Sequence, residues 1–296
     1  MRCCRFLSRY VTPLASVCTV LCLTAFSAAP SYEQLCQDGR KHLLNEEYTA
    51  ALDAYSQAVK VDAQRPLAYV GQALACREVK QYDQAIEAAR RAIEADADET
   101  TALVIRGTAY HALQQFDLAK ADFEKVIQLA PTTACAYAEL GRVHMDQGEE
   151  DRALFNFSKA LELDADDHPT YVARAKLHCR RGHFGSAVRD YTEAIRIQPD
   201  SAAYRFLRAQ ANFDNRDYAP AADDAGKAIE LDERFAAAYV LQGAALYHQR
   251  EYAAAKPLLL KAKKIAPMDA GACLWLGKTH LDLGEMEKAK AELEKA

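Results

Sequence analysis

Small and apolar residues recur with a helical spacing along most of the chain. From Tyr32 onward they fall three and four residues apart, separated by charged or polar residues, which is the pattern of a helix that buries one face. Polar turns such as Gly148-Glu149 and Gly182-His183 interrupt the pattern at intervals. The pattern therefore predicts an all-α protein built from short amphipathic helices joined by tight turns.

The helical pattern repeats every 34 residues. With Tyr32 as position 1, it fills eight repeats without a gap. Position 20 is Ala in every repeat, position 8 is always Gly or Ala, and position 17 is a large apolar residue except at Glu150. The repeats are 32–65, 66–99, 100–133, 134–167, 168–201, 202–235, 236–269 and 270–296.

Each repeat is predicted to be a helix-turn-helix pair. Positions 4, 8 and 11 form a buried stripe on a first helix, A, and positions 20, 24 and 27 form one on a second helix, B. Because proline cannot continue a helix, Pro131, Pro199 and Pro267 at position 32 mark the end of helix B. One pair cannot cover its own apolar face, so neighbouring repeats must stack, and residues 30–296 are expected to form an α-α solenoid.

These repeats resemble the tetratricopeptide repeat family over the whole chain after residue 31. The fourth repeat carries the family pattern at Tyr137, Leu140, Gly141, Ala153, Phe157 and Ala160. The local departures are Arg205, beside Tyr204, at an aromatic position, Ala89 and Ala225 at position 24, and Pro257 inside helix B. The resemblance implies a right-handed superhelix in which the A helices line the concave side.

The amino terminus has the features of a targeting segment. Arg2, Arg5 and Arg9 precede a run without charge from Tyr10 to Tyr32, and small residues follow its most apolar part. This order is typical of a cleaved export signal over residues 1–29. An uncleaved anchor, which would tether the protein to a membrane through residues 10–29, is the alternative. Either reading predicts an exported protein, periplasmic or otherwise outside the cytoplasm.

Charge and cysteine usage narrow the classes of function. The formal net charge is −5, which argues against nucleic-acid binding because that is driven by neutralising phosphates with many Lys and Arg. Beyond the targeting segment the cysteines are odd in number and scattered singly, without metal-ligand spacing, so neither disulfides nor a metal site are expected. They are Cys36, Cys76, Cys135, Cys179 and Cys273.

No catalytic constellation is visible in the sequence. Four histidines occupy position 11, where a flat ring is expected to pack on helix A: His42, His144, His178 and His280. His178, Cys179 and His183 look like a zinc set, but the first two point about 100° apart on a helix. The acidic turn 164–167 lacks the glycine and closing glutamate of a calcium loop. Phosphate-binding, GxSxG and HExxH motifs are missing, so we expect no enzyme and no cofactor.

A binding face is expected on helix A, where positions 2, 5, 9 and 12 lie together. Arg142 and Lys278 have acids four residues on, Asp146 and Asp282, which would mute them. Lys176 and Arg180 have no such acid and predict a basic spot for an acidic side chain or terminal carboxylate. The candidate partner-binding residues are Arg40, Val70, Val104, Arg142, Val172, Lys176, Arg180, Phe206, Phe213, Tyr247 and Lys278.

The sequence therefore predicts an exported, non-catalytic scaffold that binds a protein or an extended peptide in its groove. Three alternatives stay open. One is a subunit of an envelope or secretion assembly that docks through the last repeat, which has no capping helix. Another is the regulatory arm of a separate catalytic chain. The third, a carbohydrate binder, would want more Trp and Tyr on the groove than the chain has.

Overall fold

The computed structural model describes residues 29–296, which form sixteen α-helices and no β-strand. The targeting segment expected at residues 1–29 lies, except for its last residue, outside the described residues. Between residues 29 and 296, no helix is both long and apolar enough to cross a membrane.

The helices follow the 34-residue frame. In every repeat helix A covers positions 1–13, and helix B covers positions 17–30 except in the last, where α16 is shorter. The A helices are α1 Tyr32–Leu44, α3 Pro66–Glu78, α5 Thr100–Ala112, α7 Ala134–Asp146, α9 His168–Arg180, α11 Ala202–Asp214, α13 Ala236–His248 and α15 Ala270–Asp282. The B helices are α2 Tyr48–Val61, α4 Tyr82–Ala95, α6 Phe116–Leu129, α8 Glu150–Leu163, α10 Phe184–Ile197, α12 Tyr218–Leu231, α14 Tyr252–Ile265 and α16 Met286–Leu293.

The turn from helix A to helix B is the same in all eight repeats. The backbone N–H at position 16 donates to the carbonyl at position 11, as from Gln81 to Cys76 at 2.8 Å, which closes the end of helix A. Position 15 has a positive φ, the region that glycine adopts most easily. It is glycine only at Gly148, Gly182 and Gly284, and the other five are Glu46, Lys80, Gln114, Arg216 and Arg250.

The small residues at positions 8 and 20 lie where helices A and B meet. The alanines at position 20 are buried in all eight repeats, as the sequence pattern predicts. An aromatic ring from position 24 packs against the small residue at position 8. An added Cβ at Gly39 would come within 2.8 Å of the Tyr55 ring, and one at Gly71 in the next repeat would overlap the same ring. Tyr55 is therefore held between the backbones of two consecutive A helices.

The chain divides into two compact halves, one ending at Val143 and the other beginning at His144. Within each half, helix B packs on its own helix A and on the A helix that follows. Phe123, at position 24, is a fully buried ring of the N-terminal half, and Phe157 and Tyr191 hold the same position in the C-terminal half. The described chain is thus an all-α repeat solenoid within each half.

The departures from the repeat pattern have local explanations. Glu150, the one charged residue at position 17, accepts a 2.8 Å hydrogen bond from Nε of Arg181 in the next repeat. Arg205 stands at an aromatic position, and the hydroxyl of its neighbour Tyr204 lies 2.7 Å from Nδ1 of His168 in the preceding repeat. Helix α14 continues through Pro257 to Ile265.

Candidate functional site

Aromatic side chains from three successive repeats meet in the C-terminal half. They come from the A helices α11, α13 and α15 and from the first residues of α12 and α14. We call this group the aromatic cluster, and its members are Phe213, Tyr218, Tyr247, His248, Tyr252 and Trp275. Helix α13 packs on both α11 and α15, which is why side chains two repeats apart come into contact.

Trp275, the single tryptophan of the chain, lies at the centre of the cluster. Its ring centroid is 5.4 Å from that of Tyr247, 5.3 Å from that of His248 and 6.3 Å from that of Phe213. The Tyr218 and His248 rings stack at 4.4 Å with an interplanar angle of 5°. These separations are typical of favourable aromatic pairs. None of the six rings is fully buried, and His248 is exposed.

Two charged residues of α15 lie at the edge of the cluster. The ammonium of Lys278 is 4.4 Å from the Trp275 ring centroid, a cation–π distance. The Tyr247 hydroxyl donates to Asp282 at 2.5 Å, and this hydrogen bond raises the pKa of Tyr247 to about 12. The expected pair of Lys278 with Asp282 is therefore wrong: the carboxylate binds a phenol of the preceding repeat, and the ammonium lies on the indole. In the described part of the chain, no carboxylate lies within 4.0 Å of the Lys278 ammonium.

His248 is uncharged at neutral pH. Desolvation lowers the pKa of its imidazole, and the nearby positive charge of Lys278 lowers it further. The cluster therefore offers uncharged rings with two charges at their edge, the Lys278 ammonium over Trp275 and the Asp282 carboxylate bound by Tyr247.

The structure brings Phe213, Tyr247 and Lys278 together among the sequence-predicted binding residues. In the N-terminal half, Val70 and Val104 are 5% and 9% exposed, so their expected place on an open groove is wrong. Both pack inside the helix stack, Val70 in a buried cluster made largely of alanines and Val104 in one that includes Phe123 and Leu140. Arg40 is partly exposed there.

Arg142 also has a different partner from the one expected. Its guanidinium contacts Glu139, three residues earlier on α7, where the sequence suggested Asp146. A neighbouring carboxylate compensates the charge of Arg142 in either case. Arg142 is therefore a weak candidate for binding an acidic group of a partner.

The basic spot of the fifth repeat is only partly open. Lys176 is exposed, but Arg180 lies 3.7 Å from Glu150, so the expectation that it has no internal partner is wrong. The sequence pattern considered only acids on the same helix, whereas Glu150 comes from the preceding repeat. Val172 and Phe206 are partly buried, and the Phe206 ring packs on Phe235 at 4.8 Å.

Position-11 histidines pair with position-16 carboxylates. Nδ1 of His144 lies 2.7 Å from Glu149, and Nδ1 of His280 lies 2.6 Å from Glu285; His42 has the same relationship with Glu47. These histidines therefore make a hydrogen bond in addition to packing as rings, and the sequence analysis did not predict that bond. Its signal was the Glu five residues after each of these histidines.

His178 departs from this rule because position 16 of its repeat is His183. The two rings lie 6.2 Å apart, and Nδ1 of His178 is buried without a hydrogen-bond partner. Burial lowers the pKa of His178. No group of three or more His, Cys, Asp or Glu in the described residues is arranged to hold a metal ion, so the candidate zinc set with Cys179 does not assemble.

A second periodic feature escaped the sequence analysis. Arginine at position 7 forms a two-pronged ion pair with aspartate at position 23 in three repeats. These pairs are Arg106–Asp122, Arg174–Asp190 and Arg208–Asp224, each with one contact at 2.6–2.7 Å and another at 2.7–2.9 Å. The aspartates are almost completely buried. They hold helix B to helix A and are structural.

Cys36, Cys76, Cys179 and Cys273 are free thiols. Cys36, Cys76 and Cys273 are buried, and burial raises the pKa of the first two. Burial also raises the pKa of Cys179. The protonated thiol is a weak nucleophile and a poor metal ligand, so these groups act as small packing residues.

Comparison with solved structures identifies several similar helical repeat proteins. The C-terminal part of a repeat-containing protein from Cytophaga hutchinsonii superimposes with a TM-score of 0.65 at 20% identity, over 76% of this chain and 93% of that one. PilF from Pseudomonas aeruginosa gives 0.61 at 18% identity, over 68% and 92%. YrrB, described as having an unusual peptide-binding site, gives 0.50 at 19% identity, over 63% and 96%. These likenesses show the fold.

Comparison with curated proteins gave no significant match. Two sequence profiles of the tetratricopeptide repeat match most of the chain. One matches residues 39–100 and 172–233, and the other matches residues 100–133, 136–167 and 270–296. The matched segments recur along both halves and follow the helix pairs described above. The chain belongs to the tetratricopeptide repeat family.

Proposed function

We propose that this protein is a non-catalytic scaffold that binds a protein or peptide partner through the A-helix face of its C-terminal half. The observation that carries the proposal is the aromatic cluster, in which six rings converge on that face without being fully buried. Aromatic side chains that stay partly exposed are typical anchors of protein interfaces. The family supports this reading because tetratricopeptide repeats generally mediate protein interactions.

A crosslinked pull-down tests this proposal. The double variant Phe213→Ser/Tyr247→Ser removes two rings of the cluster, and Phe155→Ser, which is 61% exposed on α8, is the matched control. Both should retain the wild-type helicity by circular dichroism. We expect partners that the control captures to be lost from the double variant. Equal capture by both proteins would contradict binding through the cluster.

Export to an extracytoplasmic compartment is part of the same proposal. It rests on the basic, apolar and small-residue order of residues 1–29. Expression of the full chain followed by fractionation and mass measurement tests it. A secreted form that begins near Pro30 supports a cleaved signal, and a full-length form in the membrane fraction supports a tether through residues 10–29. A full-length form in the soluble cytoplasm contradicts both.

Docking through the last repeat is the second candidate. Met286 is 61% exposed and Leu281 is 48% exposed, and Leu293 also faces solvent. Exposed apolar residues this close together are typical of interaction surfaces. Capture of partners that survives Phe213→Ser/Tyr247→Ser but fails in Met286→Ser/Leu281→Ser would favour this site over the aromatic cluster.

A further inference from the structure

We propose that the aromatic cluster binds an extended peptide segment in which an aromatic or leucine side chain and an acidic side chain stand two residues apart. This inference rests on the proposed function and adds the chemistry of the partner. The rings of Phe213, Tyr247 and Trp275 form the apolar part of the site, and Lys278 supplies its charge.

Among residues 29–296, no carboxylate pairs with the Lys278 ammonium, because of the arrangement of its neighbours. Asp282 follows it by one helical turn, the separation at which opposite charges commonly pair. Its carboxylate instead accepts the hydrogen bond of Tyr247, and the Lys278 ammonium lies over Trp275. A partner carboxylate there would form a charge-assisted pair beside a surface of low polarity, where such pairs are strong.

The same arrangement argues against a cationic ligand. Aromatic groups also bind Lys, Arg and quaternary ammonium groups through the ring face. Lys278 already lies over the face of Trp275, so an incoming cation would meet a like charge. The carboxylate at the edge of the cluster, Asp282, already accepts the hydrogen bond of Tyr247. The neighbourhood of Trp275 therefore favours an anion.

The spacing in the peptide follows from the size of the site. The Lys278 ammonium is 4.4 Å from the centre of the Trp275 ring, and the centre of the Phe213 ring is 6.3 Å from the same point. In an extended chain, side chains two residues apart point to the same side and are separated by about 6.5 Å. One apolar and one acidic side chain at this spacing can contact the rings and the ammonium together.

Trp275 gives a direct test because it is the single tryptophan in the chain. Its fluorescence would be titrated with a capped Gly/Ser nonapeptide containing Phe-Ser-Glu, and with matched peptides containing Phe-Ser-Lys or Ser-Ser-Glu. We expect saturable binding of the first peptide, at least about tenfold tighter than either of the others. Equal binding of the Glu and Lys peptides, or no binding of any, would overturn the proposal.

Substitutions of Lys278 test whether its ammonium binds the acidic side chain of the peptide. Lys278→Met keeps an apolar stem on the indole and should weaken the Phe-Ser-Glu peptide about tenfold or more, whereas Lys278→Glu should prefer Phe-Ser-Lys. Lys125→Met changes an exposed lysine on α6, in the N-terminal half, and should leave affinity unchanged. Equal loss in Lys125→Met and Lys278→Met would contradict the assignment. So would a neutral oligosaccharide that binds wild type and Lys278→Met alike while competing with the peptide.

Failure of this inference can be told apart from failure of the proposed function. Partner capture that is lost in Phe213→Ser/Tyr247→Ser but kept in Lys278→Met and Lys278→Glu would leave the scaffold function standing and remove the acidic specificity. Capture that survives all of these variants would overturn both.

Discussion

Arg174 donates two hydrogen bonds to the buried carboxylate of Asp190, from Nε at 2.9 Å and from Nη2 at 2.7 Å. Nη1 of the same guanidinium donates to the hydroxyl of Ser158 in the preceding repeat at 3.1 Å. One side chain thus joins its own helix B to the helix B before it. Arg208 repeats the arrangement with Asp224 and Thr192.

Removing Arg174 should strongly destabilise the C-terminal half. Arg174→Leu leaves the Asp190 carboxylate buried without a cation, which costs about 3 kcal/mol. Repeat four has Leu and Asn at the same two positions, Leu140 and Asn156, so Arg174→Leu/Asp190→Asn is a control taken from the chain itself. The double variant should lie within about 1 kcal/mol of wild type. Urea unfolding followed at 222 nm measures both, and equal stability of the single variant and wild type would contradict the role given to the pair.

A methyl group at Gly71 should be poorly tolerated. The added Cβ would overlap the ring of Tyr55, which is already confined on its other side by Gly39. We expect Gly71→Ala to destabilise the protein by about 1–3 kcal/mol. Gly185, also helical, has open space around its Cβ direction, so Gly185→Ala should be neutral or stabilise by about 0.5 kcal/mol. Thermal unfolding of the two variants compares them, and a reversed order would show that Tyr55 can move aside.

The last repeat should lose stability in acid through Glu285. Hydrogen bonding to Lys256 and then to His280 lowers the pKa of Glu285 from 4.5 to about 2. Because the folded pKa lies below the unfolded one, this contribution is present above about pH 4.5 and is lost as the pH falls towards 2. The melting temperature of wild type should exceed that of Glu285→Gln at pH 6, and the difference should shrink below pH 4.5. A difference that is constant from pH 6 to pH 2 would rule out the ionised carboxylate as its source.

Restoring the missing acid of the fifth repeat should stabilise it. His183→Glu places a carboxylate where Glu149 and Glu285 contact their position-11 rings, and gives the unpartnered Nδ1 of His178 a partner. The expected gain is about 0.5–1.5 kcal/mol, and it should grow below pH 6.5 as His178 gains a proton. His183→Ala, which supplies no acceptor, should show neither effect. Equal melting temperatures of the Glu and Ala variants at pH 6 would contradict this account.

The helices and turns could be predicted because each depends on residues close in sequence and because the same residue pattern recurs in eight repeats. Helix A and the turn occupy the same positions in every repeat, as does helix B in all but the last, so one exception such as Glu150 or Pro257 does not disturb the frame. The Arg–Asp pairs were predictable in principle. Arginine at position 7 accompanies aspartate sixteen residues later in repeats three, five and six, and this spacing holds across an otherwise variable background.

The candidate site was less predictable because it depends on side chains two repeats apart. Trp275 stands at position 6, outside the face expected to bind, and reaches Phe213 only through the packing of α11, α13 and α15. Exposure at one position also depends on the neighbours: Val70 is buried at position 5, whereas Leu274 at the same position is 37% exposed. A helical wheel alone cannot supply either fact.

The positive φ at position 15 has a consequence for how these repeats evolve. A side chain there is strained by about 1–2 kcal/mol, while glycine loses about 0.5–1 kcal/mol more conformational entropy on folding. The two penalties oppose each other, so the exchange of Glu46, Lys80 or Arg216 for glycine changes the free energy of folding by about 1.5 kcal/mol at most. Because these side chains are exposed, substitutions at position 15 can accumulate by neutral drift or under selection for surface charge without changing the backbone of the turn.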